Sequence, residues 1–186
     1  MAKLVDALVL GTSGAICEGS NPSPGTILKN IFMKIRKATE VDILAILRLV
    51  KKMVVYHRAL NKIYKPYQCY TGLKKYFKEI IQTQNSILLV AEDDARIVGF
   101  LEGGVEKVSN EMIFKKIGVV YDIFVEEKYR QKEIGQKLLN SALKYFHSKD
   151  VKYIQINVEA KNNAGKKFWK KNNFFEYQIK LLKKLK

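Results

Sequence analysis

Three features of this chain predict an α+β fold on one mixed central β-sheet flanked by about four helices. Segments of helical and of strand periodicity alternate, an apolar hairpin lies mid-chain, and a strand–helix–strand unit follows it. The expected order is β-α-α-β-β-β-α-β-α-β.

Met33–Lys37 alternates as a short first strand. Thr39 and Asp42 then stand at capping-box spacing, which predicts a helix reaching about Leu60 with Ile43, Leu47, Val50 and Val54 on one face. A loop rich in Tyr and Lys, residues 61–71, leads to a second helix over Leu73–Gln84 whose apolar residues are Tyr76, Phe77, Ile80 and Ile81. Ser86–Ala91 is a nearly continuous apolar run, Asp93-Asp94 is turn-forming, and Arg96–Val105 returns as the second arm of a hairpin. Val119–Val125 is another strong strand. Ile134–His147 is an amphipathic helix, Tyr153–Glu159 an alternating strand, Ala164–Lys171 a short helix, and Phe175–Leu182 a final strand.

The 186 residues suit a single domain, and 47% apolar content is enough for a core. No run approaches the roughly 18 apolar residues of a membrane span. Cys17 and Cys69 form neither a disulfide framework nor a metal pattern, so a cytoplasmic protein is expected. With His57 and His147 as the sole histidines, no metal site is expected. The net charge of +16 suggests nucleic acid, yet only five of the 34 basic residues are arginines and the lysines are dispersed. Phosphate clamps and base readers favour Arg, so nucleic acid is not expected as the main partner.

Residues 1–32 differ from the remainder. They hold Pro22 and Pro24 out of three prolines, four of eleven glycines and two lysines, with no regular periodicity. They are read as an extension outside the domain, leaving 33–186 as the domain proper. Three origins stay open: a disordered tail, a targeting peptide, or translation from a start codon placed inside a neighbouring transfer-RNA gene. Gly19-Ser20-Asn21-Pro22 is what GGT-TCG-AAT-CCC, similar to a conserved transfer-RNA arm, would encode.

The stretch 119–139 carries the chemistry. A hydrophobic strand ends at Val125, a short charged loop follows, and a helix begins near Ile134. The first amides of a helix lack intrahelical partners and sit at the positive end of its dipole, a natural phosphate site. Gly135 permits close approach to the backbone, and Arg130 and Lys132 add charge. An ordinary loop with a solvated charge cluster has the same appearance.

This stretch resembles the acetyl-CoA signature of the GNAT superfamily of N-acetyltransferases, Val-x-x-x-Tyr-Arg followed by Arg/Gln-x-x-Gly-x-Gly/Ala. Residues 90–100 resemble that family's central hairpin, 33–43 its first strand and helix start, and 157–174 its later segment. The resemblance covers about residues 33–186. It implies that the backbone of Ile123, Phe124 and Val125 meets the pantetheine arm, with the amides of Ile123 and Val125 donating. It also implies that Arg130, Gln131, Lys132, Glu133, Ile134, Gly135 and Gln136 surround the pyrophosphate, and that Asn162 and Phe168 lie at the thiol end. Acetyl-CoA is the implied co-substrate, a primary amine of a small molecule or peptide the acceptor, and a monomer or homodimer the assembly. An acyl-CoA-binding module without turnover is the alternative.

Departures from the pattern matter. Glu133 replaces the first loop glycine, which a negative φ would tolerate, and Asn173 replaces a glycine at a left-handed helix end. Trp169 stands where many members carry the Tyr that protonates the departing thiolate, and an indole N–H has no usable acidity. Asp122 and Glu102 are the candidate bases, with Glu159 a weaker one. On a regular strand Tyr121 and Asp122 face opposite sides, so both reach the acceptor only across a bulge. The acceptor region is expected over Tyr56–Tyr70, with His57, Tyr64, Tyr67 and Tyr70, unless that segment is a surface loop.

Overall fold

The computed structural model describes residues 33–66 and 72–185. The expectations for residues 1–32, and those for Tyr67 and Tyr70, lie outside the described residues.

Five strands form one sheet in chain order: β1 (Lys34–Lys37), β2 (Ser86–Asp93), β3 (Arg96–Lys107), β4 (Lys116–Val125) and β5 (Ile154–Ile156). The first four pair antiparallel and β4 pairs parallel with β5, so the sheet is mixed. The β2–β3 turn consists of Asp94 and Ala95, one position later than expected. Both have positive φ (48° and 60°), the two-residue geometry whose twist matches a hairpin.

Side chains alternate across the pleat, so each strand serves two cores. On one face Leu88, Val90, Phe100 and Phe124 pack under α1 (Ile43–Leu60) and α2 (Leu73–Gln82), meeting Ile46, Met53 and Phe77. On the other, Leu89, Leu101, Ile123 and Val125 pack under α3 (Ile134–Ser148) and α4 (Asn163–Lys171), meeting Leu138, Phe146 and Trp169. None of the described helices is long and apolar enough to cross a membrane.

The capping box before α1 forms as expected. Asp42 accepts from the Thr39 N–H at 2.8 Å and from both terminal nitrogens of Arg36 at 2.7 and 2.9 Å. Pairing with Arg36 holds the Asp42 carboxyl below the usual aspartate range, against the opposing effect of burial.

Two expectations about the late elements need correction. The strand expected over Tyr153–Glu159 is limited to Ile154–Ile156, and residues 174–185 form no strand. Phe175, Tyr177, Ile179 and Leu181 have the right alternation, but a strand exists only with a ladder partner. Three-residue β5 offers almost no edge, and Ile179 and Leu181 stay 80% and 93% exposed.

Candidate active site

The opening of the site is a divergence of two strands. β4 pairs with β3 as far as Val125, but with β5 only through Gly118, Val119 and Val120. The Glu126 N–H bonds the Val98 carbonyl on β3 at 2.9 Å. Backbone groups alternate sides along a strand, so Phe124 and Asp122 also turn toward β3, while Ile123 and Val125 face the opening.

A bulge lies beside this divergence. Glu102 pairs with Asp122 and Gly103 with Val120, which leaves Tyr121 as an extra residue on β4. Its hydroxyl donates to Glu106 at 2.6 Å, over Gly104, where a Cβ would sit 3.1 Å from that oxygen. Glu102, Gly104 and Glu106 share one face of β3, so the bulge turns Tyr121 and Asp122 toward the same side.

That side carries both candidate bases. Glu102 and Asp122 are 2% and 7% exposed and directly opposed across the ladder. Tyr76, on α2, donates its hydroxyl to Glu102. Burial pushes the Tyr76 hydroxyl far up, and the charges of Glu102 and Asp122 push it further, so it stays a neutral donor.

The loop between β4 and α3 is anchored at its start by Glu126, 2% exposed. Lys52 binds its carboxylate, with Arg96 at 3.3 Å and Arg48 at 3.5 Å. Burial raises the Glu126 pKa, but the pairing with Lys52 and the charges of Arg48 and Arg96 outweigh it and hold the group low. A turn of 3-10 helix, Glu127–Tyr129, follows. Gln131 and Glu133 then adopt left-handed φ of 62° and 58°, and α3 begins at Ile134. Glu133 was expected at negative φ. Instead it is the N-cap of α3 with left-handed φ, at the end of a turn that leads into the helix, and its side chain stays exposed.

The first intrahelical bond runs from Lys137 to the Glu133 carbonyl, so the amides of Ile134, Gly135 and Gln136 belong to the first turn, which has no helical acceptors. The Gln136 side chain is tied to Asn140 at 3.0 Å and Asn172 at 2.7 Å. Lys132 is exposed, 5.5 Å from the Tyr129 ring. Arg130 turns away from this helix end. Its Nε donates to the Val125 carbonyl at 3.1 Å, and its guanidinium lies 5.9 Å from the Tyr56 ring and 5.8 Å from that of Phe124.

Asn162, 1% exposed, caps α4 by accepting from the Gly165 N–H at 2.9 Å, and its Oδ1 also accepts from the Tyr56 hydroxyl at 3.2 Å. A Cβ at Gly165 would meet the Asn162 amide at 2.6 Å, so a larger residue there would push the capping side chain out of place. Phe168 and Trp169 are buried, and the indole packs edge-on against Phe168 and Phe174, a core residue rather than one lining the opening. Asn173 takes the expected left-handed φ, 62°.

Beyond Asn162 a second polar group joins α1 to the β5–α4 loop. Glu159 accepts from Asn61 at 3.2 Å and from the Tyr64 hydroxyl at 3.0 Å. His57 is 3% exposed, with the Tyr56 and Tyr64 rings edge-on at 5.9 and 5.5 Å. Burial pushes its imidazole down to about 4, against a smaller upward pull from Glu159. Sequence reasoning missed Tyr76 as a polar contact and did not connect Tyr56 with Asn162. The signal for Tyr76 was a hydroxyl on the sheet-facing side of α2.

The model of the acetyltransferase (GNAT) family matches residues 57–174. An uncharacterized N-acetyltransferase of Archaeoglobus fulgidus is 30% identical over 139 residues, covering 74% of this chain and 89% of the relative. Among solved structures, a mutant of the BH1408 protein from Bacillus halodurans superposes with a TM-score of 0.75 at 21% identity, over 82% of this chain and 99% of the other. The aminoglycoside N-acetyltransferase AAC(6')-Iy, solved in complex with CoA, superposes with a TM-score of 0.65 at 15% identity, over 82% and 99%.

Proposed function

The chain belongs to the GNAT family of acetyltransferases, and from that premise we propose that it transfers the acetyl group of acetyl-CoA to a primary amine of a small molecule or peptide. The observation that carries this reading is the β4–β5 divergence, with Ile123 and Val125 facing into it and the α3 N-terminus after it. Ile123 and Val125 serve the pantetheine amides. Gln131 through Gln136 enclose the pyrophosphate, and Asn162 and Phe168 border the thiol end. The aminoglycoside acetyltransferase solved with CoA shares this fold, which supports acetyl-CoA as the co-substrate.

The chemistry requires a neutral amine. An alkylammonium of pKa ~10.4 is about 0.04% neutral at pH 7, a deficit of roughly 4.6 kcal/mol. Asp122, with Glu102 beside it, takes the proton directly or through water and offsets part of that cost. As the C–N bond forms and the C–S bond breaks, the sulfur needs a proton. Trp169 has none to give, and Tyr56, hydrogen-bonded to Asn162, is the hydroxyl that takes this role. Arg130 holds Tyr56 and the Val125 carbonyl in place.

Trp169 and Glu133 favour a second reading, an acyl-CoA-binding module without turnover. Incubation with acetyl-CoA and a panel of amines, with thiol release followed, separates the two. Acceptor-dependent release supports transfer, and binding without release supports the module.

A further inference from the structure

We propose, resting on the acetyl-transfer reading, that the acceptor is a di- or polyamine whose second ammonium is bound by Glu159 and His57. Glu159 is half-buried, and the groups holding it are the neutral donors Asn61 and Tyr64. Among the described residues no basic side chain comes within ion-pair distance of it, in a chain with 34 basic and 18 acidic residues. Glu159 is thus a carboxylate fixed by two neutral hydrogen-bond donors, with its charge unmatched by any described cation within ion-pair distance.

His57 is the independent observation. It is 97% buried by its 3% exposure, and neither ring nitrogen has a hydrogen-bond partner among the described residues. A buried polar atom without a partner is costly, and a ligand donor repays the cost. The ring abuts Tyr64, which itself binds Glu159, so the two groups share a neighbour. Burial keeps the imidazole neutral at pH 7, with a lone pair to accept a proton donor.

An ammonium suits this pair. It has three N–H donors and a charge, and here it meets a carboxylate, an imidazole nitrogen and the aromatic rings of Tyr56 and Tyr64. A metal ion would need more ligands than one carboxylate and one imidazole. The position adds direction. Glu159 lies three residues before Asn162, on the β5–α4 side of the opening, while Asp122 and Glu102 lie on the β3–β4 side. One amine is then deprotonated by the carboxylates of the sheet, and the other remains charged at Glu159.

The test compares 1,4-diaminobutane with n-butylamine as acceptors for the full chain and for E159Q, by acetyl-CoA thiol release. The wild-type ratio of kcat/KM, diamine over monoamine, is expected to be about tenfold or more, and E159Q to lower it at least about tenfold through KM. A second arm follows melting with 1,4-diaminobutane and no acetyl-CoA: the diamine raises Tm in the wild type and fails to in E159Q. If Glu159 is merely a latch between α1 and the β5–α4 loop, E159Q lowers both substrates alike and the ratio stays constant, which overturns the inference alone. Release from no amine at all overturns the acetyl-transfer reading and this inference with it.

Discussion

Glu102 and Asp122 face each other directly across β3 and β4, beside the bulge that places Tyr121 on the same side. Two buried carboxylates opposed on one ladder are costly to the fold, since like charges in such pairs repel. If Asp122 is the base, D122N lowers kcat/KM at pH 7 by about 10²- to 10⁴-fold. The Kd for acetyl-CoA stays within about twofold, read by calorimetry. E102Q, which keeps an acceptor for Tyr76, loses less. Near-wild-type turnover in both variants places the base elsewhere.

Glu133 occupies a left-handed position and brings a carboxylate next to the first amides of α3. E133G relieves the backbone strain but also removes an acid that favours the helix dipole, so Tm is expected to change little. Affinity for coenzyme A is expected to tighten by about two- to fivefold, the equivalent of roughly 0.3–1 kcal/mol of dipole-scale repulsion removed. Weaker binding would place the pyrophosphate away from this helix end.

His57 makes stability pH-dependent in a defined direction. Its imidazole titrates near 6.5 when unfolded and near 4 when folded, with Glu159, Tyr56 and Tyr64 around it. Between those values the unfolded chain binds more protons, so the contribution is complete above about pH 6.5 and is lost as pH falls toward 4. The loss amounts to about 3 kcal/mol. On acidification from pH 7.5 to 4.5 the denaturant midpoint of the wild type is expected to fall relative to that of H57F; a constant difference contradicts the buried neutral imidazole.

Glu126 ties α1 and β3 to the end of β4. E126Q leaves Lys52, Arg48 and Arg96 without their shared carboxylate, and because these cations are 39–49% exposed the cost is held to about 1–2 kcal/mol. The wild-type contribution is full above the ordinary glutamate range and is lost as pH falls through the lowered folded value. Urea unfolding at pH 7 and pH 3 checks both statements: the two proteins differ at pH 7 and the difference narrows as pH falls toward 3.

The helices and the central strands were legible because their periodicities are long and their apolar faces continuous, as in α3 and in β2 through β4. So was the strand–loop–helix unit over 119–139. Residues 175–182 misled because their alternation is real, while pairing depends on a neighbouring edge that β5 does not supply. The left-handed Glu133 was hidden because the path of a loop is set by where its ends attach. Tyr56 with Asn162 and Asn61 with Glu159 are separated by about a hundred residues. Local pattern says nothing about which polar groups meet over such a span.

The central claim is acetyl transfer to an amine, and thiol release from acetyl-CoA under varied acceptor concentration measures it directly. Saturable release that depends on the amine is expected, with stoichiometric acetylated amine formed and with D122N greatly slowed. Acetyl-CoA bound by the protein, with no release above background for any amine offered, would contradict it.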